Sequence, residues 1–186
     1  MAQEHPSSEE QRQAYLEGEW RNPLTTPRAG GRILSALQLP FFLLRPPRGY
    51  GLLTTTGRKT GKRRRKCVRA IRDGDKVYVV SLPGRFSAWS RNIEAEPSVK
   101  LRIRGGNFDG VARAITDAPE RERAKAVYCG TVNPFDHMTY RAHRKGRPNP
   151  ARIRALLERW FAVCLPLVIE LSGSRSVRGG ADKTPE

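Results

Sequence analysis

The sequence predicts a mainly β domain with flanking helices, an α+β fold whose strands close into a small, split antiparallel β-barrel. Three observations carry that prediction. Val99, Leu101 and Ile103 alternate with Lys100, Arg102 and Arg104, the period of a strand with one buried face. Asp73-Gly74 separates two strand-like runs, 66–72 and 76–82, and a tight hairpin turn needs the positive φ that glycine adopts freely. Gly105-Gly106-Asn107 turns the chain so that 108–115 returns beside 99–103. Strands joined this tightly pair antiparallel. No strand is followed by G-x-G-x-x-G, so the fingerprint of a dinucleotide-binding, doubly wound sheet is absent.

The elements follow in order. Ser8-Glu9-Glu10-Gln11 offers a capping hydroxyl ahead of a helix that reaches about residue 20. Residues 22–31 hold two prolines and two glycines and read as a linker. A short β run over 52–56 stops at Gly57. Ser87 caps a helix that ends before Pro97. Asp117 and Pro119 open another, with Glu120 and Glu122 in its first turn. Asn149 and Pro150 open the last, whose Ile153, Leu156, Leu157, Trp160 and Phe161 form one apolar stripe. Residues 163–171 read as the final strand, and Pro166 places it at an edge or a bend. The expected organisation is a polar N-terminal helix and linker over 1–31, a barrel domain over 32–171 and a flexible tail over 172–186.

The charge balance constrains the partner. Lys and Arg number 35 against 18 Asp and Glu, a net charge of +17. Nucleic acid, an anionic membrane or a polyanionic cofactor would match it. The cysteines, Cys67, Cys129 and Cys164, lie far apart with no C-x-x-C, which points to a reducing, cytoplasmic setting rather than a disulfide scaffold. The polar, acidic N-terminus carries no expected signal peptide. The apolar runs 33–44 and 160–171 are too short to span a bilayer. The first, opened by Ile33, closed by Leu44 and flanked by Arg32, Arg45 and Arg48, is either a cover on the core or a peripheral membrane contact.

The chemistry concentrates at 52–61, LLTTTGRKTG. Gly57 and Gly61 let the backbone turn tightly and approach a ligand. Between them stand a guanidinium that grips phosphate with two bonds (Arg58), a point charge (Lys59) and a hydroxyl (Thr60). Exposed backbone N–H groups in such a turn would complete a concave anion site. The glycine spacing is not that of a Walker loop, and the chain returns to a strand rather than entering a helix. Over 58–72, nine of fifteen residues are Lys or Arg. If 66–72 is one strand, Lys66, Val68, Ala70 and Arg72 share one face and Cys67, Arg69 and Ile71 the other, so the charge is split between faces.

This loop, the hairpin at Arg72-Asp73-Gly74, Trp89 with Asn92 and Pro97, and the alternating strand 99–103 together resemble the deazaflavin (F420)-dependent nitroreductase family, over about 52–116. A looser likeness at 165–170 supplies the last strand. The resemblance implies a split β-barrel like that of pyridoxamine-phosphate oxidases, and an F420H2-dependent oxidoreductase. It implies coenzyme F420, whose tail carries a phosphodiester and several glutamates, as the anionic partner of the barrel domain. It places that tail on Arg58, Lys59, Thr60, Gly61 and Arg64, sets Val80 and Ser81 against the deazaflavin ring, and makes Trp89 the closure of that pocket.

The sequence departs from the family pattern on the substrate side. Arg63 and Cys67 stand where relatives often have proline, and Arg69 where an aromatic can line the pocket. The loop 82–88 is short and the stretch 131–149 long. The acceptor therefore stays open among quinones, enones, nitro compounds and lipid-like molecules. Arg69 and Arg85 are candidates to stabilise charge on it. Tyr128, His137, Tyr140 or water are candidates to supply a proton. No metal site is expected, because His137 and His143 lie six apart without a carboxylate or thiolate pattern. Two other readings compete: nucleic-acid binding through the KRRRK run at 62–66, without an evident recognition fold, and a flavin-binding or non-catalytic relative of the same fold. Oligomerisation is left open.

Overall fold

The computed structural model describes residue 13, residues 42–82 and residues 87–175. The expected N-terminal helix (apart from the helical Gln13), the linker, most of the apolar run 33–44, Arg85 and residues 176–186 lie outside the described residues. Seven described strands form one antiparallel sheet: β1 (Tyr50–Thr56), β2 (Arg63–Arg69), β3 (Ile71–Asp73), β4 (Lys76–Ser81), β5 (Ser98–Ile103), β6 (Gly106–Ala114) and β7 (Leu165–Arg175). Their spatial order is β2-β1-β5-β6-β7-β4-β3. Flanking it, among the described residues, are the helices α1 (Ala88–Ala95), α2 (Ala118–Gly130), α3 (Pro134–His143) and α4 (Pro150–Val163).

The sheet curls into a half-barrel, and its sequence of strands explains the curl. β2 lies at one edge and β3 at the other, yet only Ala70 separates them in the chain. The two edges must therefore approach each other, and β2 does return to touch β4. This corrects the expectation of one strand over 66–72. The chain breaks at Ala70, whose N–H leaves the ladder to donate to the Gly49 carbonyl at 2.9 Å.

The local signals act as their chemistry requires. In β5, Val99, Leu101 and Ile103 are buried and Ser98 and Lys100 are exposed. The β3–β4 hairpin pairs Asp73 with Lys76 across Gly74, whose φ is +63°. Side-chain oxygens of Ser87, Asp117 and Asn149 accept from the N–H groups of Ser90, Glu120 and Arg152, capping α1, α2 and α4. Alternation along β4 splits the core in two. Val77 and Val79 join Leu53, Leu101 and Ile169 inside the barrel, under α1. Tyr78 and Val80 join Tyr128, Trp160 and Phe161 beneath α2 and α4.

Three further differences have physical reasons. β7 is not an edge strand; it lies between β6 and β4. Pro166 is tolerated because it sits just past the end of β6, where its carbonyl accepts from the Ile115 N–H at 3.2 Å and only one reciprocal bond is forgone. β7 also runs to Arg175, four residues beyond the expected domain end, because the long β6 pairs with it as far as Asn107↔Arg175. Within 131–149 lies a helix, α3, that the sequence reading did not assign.

Candidate cofactor and acceptor site

β1 delivers the chain to Gly57 at the open end of the barrel. There the loop is closed by its own backbone. Gly57 N–H donates to Lys62 O at 2.9 Å, and Thr60 and Gly61 N–H donate to Gly57 O at 3.0 and 2.7 Å. Arg58 N–H donates to Asn92 Oδ1 at 3.2 Å, and Asn92 Nδ2 donates to the buried Thr55 at 3.1 Å, tying the loop to α1. A Cβ on Gly57 would stand 3.0 Å from Lys62 O, and Gly61 has φ +64°, so both glycines are needed for this turn. The consequence corrects one expectation: these four N–H groups face inward, and the loop presents side chains, not a backbone cradle. Arg58, Lys59 and Thr60 are all exposed.

Those side chains border a groove of about 550 Å³. Arg64, Arg65 and Lys66 of β2 continue its wall, and Trp89 and Asn92 of α1 close the other side. Lys66 and Trp89 also border a second space, a cavity of about 390 Å³ between the sheet and α2, α3 and α4. That cavity has a mostly apolar and aromatic wall, including Phe42, Val80, Leu82, Phe135, Met138 and Trp160. A polycationic groove and an apolar chamber thus lie side by side, sharing Lys66 and Trp89 in their walls.

The chamber is held together by Arg69, which is 7% exposed. Its Nε donates to Asp136 Oδ1 at 2.9 Å. Its Nη1 and Nη2 donate to the carbonyls of Tyr128 and Thr131, each at 2.6 Å. Those carbonyls lie where α2 ends, and Asp136 lies where α3 begins, accepting from the Asn133 N–H at 2.7 Å. One guanidinium therefore pins the α2–α3 corner to β2. Burial works against its charge, but neighbouring Tyr128 and Asp136 outweigh that and hold it above its ordinary pKa. The Tyr50 hydroxyl donates to Asp136 Oδ1 at 2.7 Å and lies 2.7 Å from Thr139 Oγ1. Burial first, and the Asp136 carboxylate second, push its pKa well above the ordinary phenol value. Burial likewise pushes Tyr128 up to about 12 and Cys67 up to about 11.

The residues singled out from the sequence divide cleanly. Arg58, Lys59, Thr60 and Arg64 come together in the groove, and Gly61 shapes the turn beside it. Trp89 stands at the junction and Val80 on the chamber wall. Ser81 is fully buried, its Oγ 2.7 Å from Ser87 Oγ, and does not border either space. Arg69 borders the chamber with each of its three side-chain nitrogens already donating within the fold. Tyr128 borders the chamber, whereas His137 and Tyr140 do not. Sequence reading missed Tyr50, Asp136, Thr139 and His143. The Asn133-Pro134 pair, the same opening as Asn149-Pro150, was the available signal for the helix that carries three of them. Among the described residues no cluster of His, Cys, Asp or Glu is placed to hold a metal ion, and no helix is long and apolar enough to cross a membrane.

A split barrel with a cationic groove beside an apolar chamber has the build of a reductase that holds an anionic redox cofactor. The model of the F420H(2)-dependent quinone reductase family matches residues 45–148, and the chain belongs to that family. It is an F420H2-dependent reductase, with coenzyme F420 as its cofactor. Among solved structures, the F420-H2 dependent reductase FDR-A is 20% identical and is matched over 66% of this chain and 95% of its own, with a TM-score of 0.44. A Listeria innocua protein whose structure is named for pyridoxamine 5′-phosphate oxidase is 15% identical over 78% of this chain and 99% of its own, TM-score 0.44. An FAD-binding protein from Mesorhizobium loti is 15% identical over 75% and 91%, TM-score 0.44. The donor set fits the family's cofactor: Arg58, Lys59, Arg64, Arg65 and Lys66 offer charge-assisted bonds to phosphate and carboxylate, and the chamber offers aromatic faces to a planar ring.

Proposed function

We propose that the groove holds the phosphate and glutamate tail of F420 through Arg58, Lys59, Thr60 and Arg64, and that the chamber holds its ring together with a planar, quinone-type acceptor. The observation behind this is that the two spaces are neighbours, with Lys66 and Trp89 in the walls of both. One long molecule with an anionic tail and a flat head matches that shape. Each charge-assisted hydrogen bond to the tail contributes about 1.5–3 kcal/mol. When bound, F420H2 supplies a hydride from ring carbon C5. The chain's own part is to orient and to exclude water. Trp89 and Val80 flank the ring, while the aromatic wall stacks a flat acceptor and keeps the reacting atoms dry. That wall favours quinones over flexible lipid-like acceptors. Arg69 serves by holding the chamber's corner, since its N–H groups are engaged within the fold.

The test is a titration of the purified protein with F420, FMN and a DNA duplex at two salt concentrations. Micromolar or tighter F420 binding without FMN binding is expected. Tight, steeply salt-dependent duplex binding without F420 binding would instead make the exposed cations of β2 a nucleic-acid contact. Steady-state rates with a naphthoquinone and with a nitroaromatic then rank the acceptors, and the quinone is expected to lead.

A further inference from the structure

Hydride addition to a quinone leaves an oxygen negatively charged, and that oxygen needs a proton. On the chamber wall the Lys66 ammonium also borders the groove, where the proposed tail would engage it, and the other sources are few. Tyr128 is held at about 12, above the roughly 10 of an ordinary phenol. Transfer from it to a phenolate-like product runs uphill. Tyr50 points its hydroxyl at Asp136 and is held higher still than an ordinary phenol. Cys67, at about 11, is a poor acid for the same reason. Arg69 is engaged with Asp136 and two carbonyls.

His143 differs from all of these. It is the last residue of α3, half-buried, with its ring on the chamber wall. Trp160 of α4 meets that ring edge-on, with centroids 4.9 Å apart and planes at 82°, which fixes the imidazole plane. The end of a helix is a position where cationic side chains are favoured. Imidazole is also the side chain whose ordinary titration spans neutral pH, which suits it to give up a proton and regain it each turnover.

We propose that His143 is the general acid of this reductase, an assignment that rests on the quinone-type acceptor argued above. In the step, an imidazolium N–H bond breaks and an O–H bond forms on the acceptor oxygen, using the electron pair freed there as the hydride arrives. Both electrons come with that hydride. The imidazole left behind regains its proton from water on its exposed side. The titratable or charged groups that share its wall are Tyr50 from β1, Lys66, Cys67 and Arg69 from β2, and Tyr128 from α2. On its own side, Arg144 Nη1 donates to the His143 carbonyl at 3.0 Å.

The experiment uses the full chain with F420H2 and 2-methyl-1,4-naphthoquinone, comparing wild type with His143→Gln and His143→Phe. Turnover at saturation is expected to fall by about a hundredfold in both variants, with F420 affinity within twofold of wild type. Wild-type kcat should show a limb that falls as pH rises, since the acid must be protonated, and that limb should vanish in both variants. As a readout apart from turnover, the His143 proton resonance, identified by its loss in His143→Gln, should move when the naphthohydroquinone is added with oxidised F420. Unchanged turnover, a persisting pH limb or an unmoved resonance overturns the proposal. A wild-type protein that binds no F420 or reduces no quinone overturns the site reading beneath it, a result distinct from an indifferent variant.

Discussion

Arg64 and Arg69 stand five residues apart on one strand, and the fold uses them in opposite ways. Arg64 is exposed on the groove wall, beside a loop whose backbone bonds to itself and where the proposed tail would meet it. Arg69 is buried under the α2–α3 corner, where its N–H groups satisfy the protein. The groove is therefore cheap to alter and costly to binding; the chamber is costly to alter for the fold itself. Where β2 passes under the helices, the same guanidinium changes from an exposed group to a structural one. A count of basic residues cannot make that distinction.

The largest test of this contrast is Arg69→Ala. It would leave Asp136, whose side chain is 2% exposed, as an unpaired buried carboxylate and strand the carbonyls of Tyr128 and Thr131. Breaking such a buried pair costs about 3–5 kcal/mol. Denaturant unfolding should show that loss, and Arg69→Lys should recover little of it, because an ammonium lacks the planar fork that reaches all three acceptors at once. A loss under about 1 kcal/mol, the range of an exposed ion pair, would mean that Arg69 is no more structural than Arg64.

The next test works on the groove. Replacing Arg58 and Lys59 together by Ala should weaken F420 binding by about a hundredfold or more, at least about 2.7 kcal/mol, and flatten its salt dependence. Stability should barely change, since both side chains are exposed. Turnover at saturating cofactor should be nearly preserved, because the tail binds alike before and during hydride transfer. Unchanged affinity would move the tail elsewhere. Equal losses of affinity and stability would erase the distinction between groove and chamber.

The same contrast explains what was legible in the sequence. The groove was legible because its determinants are local: two glycines four residues apart, cations between them, and a strand ending at Thr56. The alternation of β5, the Gly74 turn and three helix caps are equally local. The chamber was not legible, because Arg69 meets partners 59 to 67 residues away. No periodicity reports which distant carbonyl a guanidinium will reach. The break at Ala70 was hidden for a related reason: only the return of one sheet edge to the other shows that 66–72 must turn a corner. Pro166 misled because a proline reports a missing donor, not whether the neighbouring strand has already ended. The resemblance to F420-dependent enzymes held because its motifs are local, while α3, which carries the proton-donor candidates His137 and Tyr140, was not read as a helix.

The smallest expected effect is chemical. Cys67 sits on β2 between the exposed Lys66 and the buried Val68, half-buried on the chamber wall. Burial raises its thiol to about 11, and Lys66 pulls back against that without prevailing. Two pH units above its reference value of 9.0, the thiolate fraction at neutral pH is lower by about a hundredfold. A more basic thiolate is intrinsically more nucleophilic, which returns about half of that on a logarithmic scale. Iodoacetamide should therefore modify Cys67 about tenfold more slowly in the folded protein than in the unfolded chain at pH 7, a difference read by peptide mass spectrometry. The rate should rise with pH towards 11. Lys66→Ala should slow it further by removing the one cation that favours the thiolate. F420 with a bound naphthoquinone should protect the residue, because both would fill the space it borders. A Cys67 that reacts as an ordinary exposed thiol would show that the chamber is as wet as the groove, and the boundary along β2 would then lie beyond residue 67.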